Sequence, residues 1–517
     1  MRLSETTPTQ ATSDHFSLTI LVMLAVAVIL HGCSWSRETP TGVTANPERA
    51  TSPPPTQTLT LSPKGSPTAT NTRPPMAPED WPTRLLSVSP DGRPSEGAWA
   101  QLSADARYAV FVADSQVFLR EMETGTTRLV SATTDGARGD DWSFASAISG
   151  DGSTVAFFSL ASNLVEDPYL DCPEQGKPSE ADCGQLYVYD VASRKLERVP
   201  VAAFRHATAD IALSEDGHYV AFAVSGALYR EGVYLYDTRT GELTTISAGD
   251  VSDSQVLFDV GGTTVDISAD GRYVAFASPD NGIVPDDQNG VSDVFVYDRE
   301  EKHVERISAP IDGVESGQPS GFQWVPNTGG DTESGLAISA DGRYVVFMSA
   351  APNLVKMDLP PCPHWPWADE MFPACRHIYL RDREMGTTEL ISVSDTGEPG
   401  NRASQDGDIS ADGRWVVFTS LASNLTPDRL AGCRDFSFDG FCPQVFARDR
   451  QKGKTYLVSK GWDNRSAEAY SHHPVISPDG RYVAFQSGAG NLAPGIPVGQ
   501  SQYAFITDIF QLLEVHR

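Results

Sequence analysis

The chain has 517 residues, with 39 Lys and Arg against 68 Asp and Glu, a formal net charge of −29. So acidic a surface repels phosphate, and no Lys/Arg-rich run concentrates positive charge against it, which excludes a nucleic-acid binder. Hydrophobic residues make up 40%, enough for a sizeable core, but the one long apolar run is shorter than the roughly 20 residues a spanning helix needs, which excludes a polytopic membrane protein.

That run comes first in the chain. Phe16–Leu30 (FSLTILVMLAVAVIL) leads into His31-Gly32-Cys33, an apolar segment that ends in a small residue before cysteine. The pattern resembles a bacterial lipoprotein signal. The resemblance implies that residues 1–33 direct export, that Cys33 carries a lipid and becomes the mature N-terminus, and that the protein is anchored at the cell envelope. Two features depart from it: His31 is an unusual occupant, and Arg2 is the only Lys or Arg of the leader, opposed by Glu5 and Asp14. Residues 34–83 are rich in Pro and Thr, as in TSPPPTQTLTLSPKG, with few large apolar groups to offset the cost of ordering the chain. A disordered linker is expected there, spanning up to ~150 Å at about 3.1 Å per residue in the polyproline limit.

From residue 84 to 517 one unit repeats. LSADARYAVF (from Leu102), ISGDGSTVAF (Ile148), LSEDGHYVAF (Leu213) and ISADGRYVAF (Ile267) are followed by ISADGRYVVF (Ile338), ISADGRWVVF (Ile409) and ISPDGRYVAF (Ile476). Each unit reads as four strands: a run ending in Ile-Ser or Leu-Ser, a Tyr-Val-Ala-Phe run, a third such as DVFVYD and a fourth such as ERIS. An Asp-Gly pair between the first two predicts a two-residue hairpin turn with positive φ at both positions. Strands apolar on both faces, in seven four-stranded antiparallel units, predict an all-β, seven-bladed β-propeller. Arg84–Ser89 (RLLSVS) matches ELISVS at Glu389–Ser394 and is expected to complete the last blade, whereas QLLEVHR at the C-terminus finds no place. The consensus SxDGRYVAF followed by VFVYDRxTG resembles the TolB-type, WD-like propeller repeat of bacterial envelope proteins. That resemblance covers essentially all of residues 84–517. It implies a fold and leaves function open; the additional N-terminal domain of TolB has no counterpart here, and blade 1 carries Ala106 in place of the turn glycine.

Tight turns define one face of such a ring, and every long insertion falls on the other: residues 160–184, 350–376 and 420–443 within blades, and 309–335 between blades 4 and 5. Long loops on a rigid scaffold are where function concentrates. Besides Cys33, the cysteines fall as Cys172/Cys183, Cys362/Cys375 and Cys433/Cys442, one close pair in each of the three insertions within blades. They read as three local disulfides, suited to an oxidising compartment; a zinc site is the rival reading, but it lacks any CxxC spacing. Trp99, Trp142, Trp324, Trp365, Trp367 and Trp462 fall in the insertions or the segments leading into blades. Trp99 is expected to pack in the first strand, and Trp365 and Trp367 to be the more exposed; Trp324 and Trp462 are the other candidates for flat apolar surface against a sugar or protein. His472 and His473 open the first strand of the last blade, near the channel mouth, either as metal ligands or acid/base groups or as hydrogen-bonded loop residues. In DDQNGVSD, Asp287, Asn289 and Asp293 surround a Gly turn in an order reminiscent of a calcium loop, without its bidentate Glu; such Asx-rich turns also occur without metal.

No GxSxG elbow, HExxH helix or GxxxxGK loop is present, and the Asp-Gly turns are not the SxDxGxxW box of sialidases. The leading expectation is therefore a monomeric, lipid-anchored binding scaffold whose insertion-bearing face takes a protein partner or a cell-wall or extracellular polysaccharide. The alternative is a propeller enzyme, a cation-assisted polysaccharide lyase working at the channel mouth.

Overall fold

The computed structural model of the chain describes residues 80–166, 183–200, 204–205, 208–225, 232–248, 264–323, 333–361, 375–432, 442–496 and 501–515. Cys33 and the linker up to residue 79 lie outside them. Six repeats fold into antiparallel sheets whose four strands pair in sequence order, and a seventh, composite sheet completes the propeller. Blade 4 is typical, with strands Val265–Ile267, Tyr273–Ser278, Asp293–Asp298 and His303–Arg306. Two blades carry additions: Phe204–Arg205 pairs outside the third strand of blade 2, and a small ribbon, Phe322–Gln323 with Glu333–Ser334, precedes blade 5.

The seventh blade is composite. Ser471–Ile476, Tyr482–Ser487 and Tyr503–Asp508 supply three strands, and Thr83–Leu85 adds the fourth, with Thr83 opposite Thr507 and Leu85 opposite Phe505. The C-terminal segment turns into a helix, Ile509–Val515. The Asp508 carboxylate accepts the amides of Phe510 and Gln511 at its start. Ile509 and Leu512 bury against the sheet, which gives the unplaced C-terminal segment its role.

The core lies between blades. Seven apolar clusters are each shared by two neighbours; Ala221, Ala223 and Val233 of blade 3, for example, meet Ile267, Val274 and Phe276 of blade 4. Within every blade a second-strand Phe stacks on a third-strand aromatic, from Phe222–Tyr234 at 5.3 Å to Phe485–Phe505 at 6.0 Å. Burying each such ring is worth roughly 1.5–3 kcal/mol, and both faces of each sheet are used, hence strands without polar alternation.

The turn differs from the expected two-residue hairpin. Five residues, 268–272 in blade 4, join the first two strands, and among them only Gly271 is left-handed, at φ 70°. Side chains replace the missing ladder: Ser268 Oγ donates to Asp270 (2.7 Å) and accepts the Tyr273 amide (2.9 Å), while Asp270 accepts the Arg272 amide (2.9 Å). Glycine is also needed for space, since a Cβ at Gly271 would stand 2.2 Å from the Tyr219 ring of blade 3. Arg272 reaches across its own sheet to Asp298 (2.7 Å), and Arg299 covers the Tyr219 ring (4.4 Å to its centroid). These turns are joined around the ring by backbone hydrogen bonds: Ala104 N–H to Gly150, Glu215 to Ala269, Ala269 to Ala340, Ala340 to Ala411 and Ala411 to Pro478. Pro478, lacking an N–H, cannot donate onward to blade 1.

Candidate functional site

The first strands of neighbouring blades contact one another in a closed ring around the axis. Four residues ahead of the turn serine, the seven strands carry Trp99, Ala145, Asp210, Thr264, Gly335, Asp406 and His473. In blades 1, 2, 6 and 7 the register slips at this place, between Ala98 and Gln101, Phe144 and Ser146, Gln405 and Asp408, and His472 and Val475. The residue in each bulge is left-handed: Trp99 (φ 49°), Ala145 (44°), Asp406 (54°) and His473 (47°). Non-glycine residues bear a cost of order 1–3 kcal/mol for that conformation, and bulges re-aim side chains next to functional sites.

The four occupy consecutive blades, 6, 7, 1 and 2, and those of blades 6, 7 and 1 carry polar or aromatic side chains. Asp406 of blade 6 accepts the His473 amide (3.3 Å), and its carboxylate lies 3.4 Å from His473 Nδ1. Gly335 of blade 5 makes room for this turn of chain, because a Cβ there would lie 3.3 Å from the Asp406 nitrogen. Burial alone would raise the Asp406 carboxyl; the two histidines and Thr419 outweigh it and hold it below the usual carboxylate range. His472 stands edge-on to Tyr470, 4.5 Å between centroids, and 4.5 Å from the His473 ring. Burial, and then the charge of His473, push His472 down to about 3, which keeps it neutral. One blade further on, Trp99 is 49% exposed. This corrects the expectation that Trp99 packs in its strand: the bulge at Trp99 turns the indole out of the sheet. An acid, an imidazole and a half-exposed indole thus form an arc on the wall, toward the strand ends where the connections and insertions lie.

The other sequence candidates separate. Trp462 is 40% exposed on the hairpin that follows the outermost strand of blade 6, away from the innermost strand that carries His472 and His473. Trp142 is also exposed, ahead of the first strand of blade 2. Trp324, Trp365 and Trp367 lie outside the described residues. The expected cystine pairs are each met by one member only. Cys183 opens the third strand of blade 2, Cys183–Asp190, with its backbone opposite Arg205. That corrects the reading of residues 160–184 as insertion throughout, since Cys183 and Gly184 already belong to the sheet and pair with the added strand Phe204–Arg205. Its expected partner Cys172 lies outside the described residues, as do Cys362 and Cys433, so the 172–183 linkage has no counterpart among them. Cys375 and Cys442 are buried, and neither is a free thiol. Asp287, Asn289 and Asp293 fall together in blade 4, with Asn289 Nδ2 donating to Asp293 (2.8 Å). Among the described residues no three His, Cys, Asp or Glu side chains converge as metal ligands, and no helix is long and apolar enough to cross a membrane.

Reading the sequence missed Asp406 and misassigned Trp99. The available signals were Gly407 and Pro474 inside first strands, since both residue types mark bulges.

No protein-family model matches the chain, and no curated protein does. Solved propellers are similar at low identity. The β-propeller domain of the Trilobed protease from Pyrococcus furiosus has a TM-score of 0.45 at 11% identity, covering 80% of this chain and 94% of that one. An oligogalacturonate lyase from Vibrio parahaemolyticus gives 0.44 at 13%, covering 83% and 96%. TolB from Acinetobacter baumannii gives 0.36 at 13%, covering 74% of this chain, which spans 66% of the TolB chain.

Proposed function

We propose that this chain is an exported propeller, anchored by lipid at Cys33 and held off the membrane by residues 34–79, that binds a glycan at its channel wall. The expected linker end at residue 83 is corrected to 79, because Trp81 is buried and Thr83 pairs with Thr507 in blade 7. The observation that carries the reading is the arc Asp406–His473–Trp99, three strained residues on consecutive first strands. An exposed indole offers a flat face to a sugar ring. The His473 imidazole one blade away, held by the buried Asp406 carboxylate, supplies a hydrogen bond of fixed direction for the hydroxyls. Cystine pairs Cys172–Cys183, Cys362–Cys375 and Cys433–Cys442 would staple the insertions around this face.

The same ion pair favours a second reading, a polysaccharide-cleaving enzyme, because a carboxylate that orients an imidazole is an acid/base arrangement. One experiment separates the two. The full chain is incubated with neutral and acidic polysaccharides, and both retention and new oligosaccharides are measured, the latter by mass spectrometry. Binding without products, weakened at least about tenfold in Trp99→Ala and His473→Ala proteins of unchanged circular dichroism, supports the binding role. Products abolished by His473→Ala establish the enzyme instead, and binding untouched by either substitution places the site elsewhere.

A further inference from the structure

Trp142 is the most exposed of the described tryptophans, at 64%, and it stands outside the arc of Asp406, His473 and Trp99. Its backbone is held from both sides. The N–H donates to the Asp141 carboxylate (2.7 Å), and the carbonyl accepts the Leu160 amide (2.7 Å) and the Ser159 hydroxyl (3.2 Å) at the end of the second strand of blade 2. An indole on so fixed a backbone that still keeps most of its surface in water forgoes the burial that large aromatic rings usually gain.

The same backbone place recurs around the ring. The carbonyls of Pro319 in blade 5, Ala403 in blade 6 and Tyr470 in blade 7 accept the amides that follow the second strands, from Ala350 (3.2 Å), Leu421 (3.0 Å) and Gly488 (3.3 Å). Blades 7 and 2 thus carry an aromatic side chain where blades 5 and 6 carry proline and alanine, and blade 1, between them, carries Trp99. The turns of blades 1 and 2 are held level by the bond from Ala104 N–H to Gly150 O (2.7 Å). Counted back from the turn serines Ser103 and Ser149, Trp99 stands four residues up its strand and Trp142 seven. The difference in height is roughly 10 Å at about 3.3 Å per residue, more than a single sugar ring covers.

Charge narrows what such a surface takes. The innermost strands contain no Lys or Arg and carry four carboxylates, Asp210, Asp266, Asp406 and Asp408. The cationic form of His473 is already paired with Asp406. Asp140 and Asp141 lead into Trp142, and the guanidinium of Arg138, four residues ahead, donates to Asp114 O (2.7 Å). A channel lined by one sign of charge focuses its field, so a sugar carboxylate or sulfate meets repulsion here and no bidentate guanidinium to receive it. We propose that Trp142 is a second stacking platform of the glycan site, and that the ligand is an uncharged glycan chain running from Trp99 to the rim of blade 2. This rests on the glycan-binding reading above and adds the charge class and the length of the ligand. Two indoles at different heights select for a chain, while the carboxylates select against its acidic counterparts.

The test is calorimetric titration of the full chain with cello-oligosaccharides and N-acetylated chito-oligosaccharides, from disaccharide to hexasaccharide, and with oligogalacturonates of the same lengths at low salt. An uncharged series is expected to bind, with affinity rising about tenfold or more from disaccharide to hexasaccharide. Oligogalacturonates are expected to bind about tenfold or more weakly than the uncharged chain of equal length. Trp142→Ala, with circular dichroism to check the fold, is expected to abolish the gain with length, and Trp142→Phe to keep part of it; Trp462→Ala, on its separate hairpin, leaves the gain in place. A gain with length that survives in Trp142→Ala, or oligogalacturonates that bind as tightly as uncharged chains, would overturn this inference and leave a glycan site at Trp99 and His473 standing. Binding of no chain, or binding that Trp99→Ala does not weaken, would overturn the underlying reading and this inference with it.

Discussion

Ala106 carries, in blade 1, the left-handed conformation that six glycines carry elsewhere, at φ 51° against 67–72° for Gly152, Gly217, Gly271, Gly342, Gly413 and Gly480. Its methyl packs in the cluster shared by blades 7 and 1, beside Tyr482. The sister positions have no such room. A Cβ at Gly342 would lie 2.1 Å from the Tyr273 ring, and one at Gly413 2.2 Å from Tyr344. Two substitutions should therefore behave oppositely. Gly342→Ala combines backbone strain with overpacking and is expected to destabilise by about 3 kcal/mol. Ala106→Gly relieves about 1–2 kcal/mol of strain but loosens the unfolded chain, leaving a change within about 1 kcal/mol. Denaturant unfolding of both proteins checks this, and equal losses would show that the interblade ring contact does not set the glycine requirement.

Along the innermost strands, carboxylates serve as clamps between blades. Asp266 accepts the Ile267 amide with one oxygen (2.8 Å) and the Ile338 amide of blade 5 with the other (2.7 Å); Asp210 reaches Val265, and Asp408 reaches Ile476, in the same way. Burial raises these groups to about 6 (Asp210, Asp408) and about 7 (Asp266), the last pushed further by the charges of the other two. A raised carboxyl means that the native state holds protons the unfolded chain has released, so stability falls as pH rises from about 4 to about 7. The Arg-paired Asp298, Asp382 and Asp449 are held low and act in the other direction, losing their contribution only below the ordinary carboxylate range. Thermal midpoints are expected to rise from pH 8 to pH 5 and to fall again below about pH 4. Asp266→Asn should flatten the upper limb, each tenfold change in proton affinity being worth about 1.4 kcal/mol; an unaltered slope would remove the clamp from the account.

The same strands show where the sequence is readable and where it is not. Ser-x-Asp-Gly-Arg-Tyr is legible because its hydrogen bonds are local, and its Ser and Asp recur in register in all seven blades. Asp266 escapes notice as a single polar residue between Val265 and Ile267, and Asp408 as one of several polar residues in SQDGDI, because each partner amide lies some 70 residues away in the next blade. Trp99 and His473 become a site only through bulges. An extra residue alters pairing without altering composition, and only Gly407 and Pro474 hint at it. That Trp99 of blade 1 stands one blade on from His473 of blade 7 follows from closure of the ring, which no local pattern contains.

At the scale of the whole molecule, that closure rests on a short segment. Trp81 is 3% exposed, and its Nε1 donates to Lys460 O (3.0 Å), tying the incoming chain to the connection between blades 6 and 7. Thr83 and Thr507 bond through their hydroxyls (2.8 Å), Leu86 is fully buried, and Ser87 Oγ accepts the Ala504 amide (3.1 Å). Without this strand, Tyr503–Asp508, buried along its whole length, would become an open apolar edge of the kind that pairs with other chains. The interface of blade 7 with blade 1 is also the one step at which Pro478 interrupts the backbone ring, so the strand acts where the ring is otherwise weakest. A chain beginning at residue 88 is therefore expected to unfold at a markedly lower temperature than one beginning at residue 80, and to self-associate in light scattering. Trp81→Ala alone should cost on the order of 3–5 kcal/mol. Equal thermal midpoints and a monomeric truncated chain would mean that three strands suffice for the last blade, and that the interblade clusters, not strand exchange between the ends of the chain, hold the ring shut.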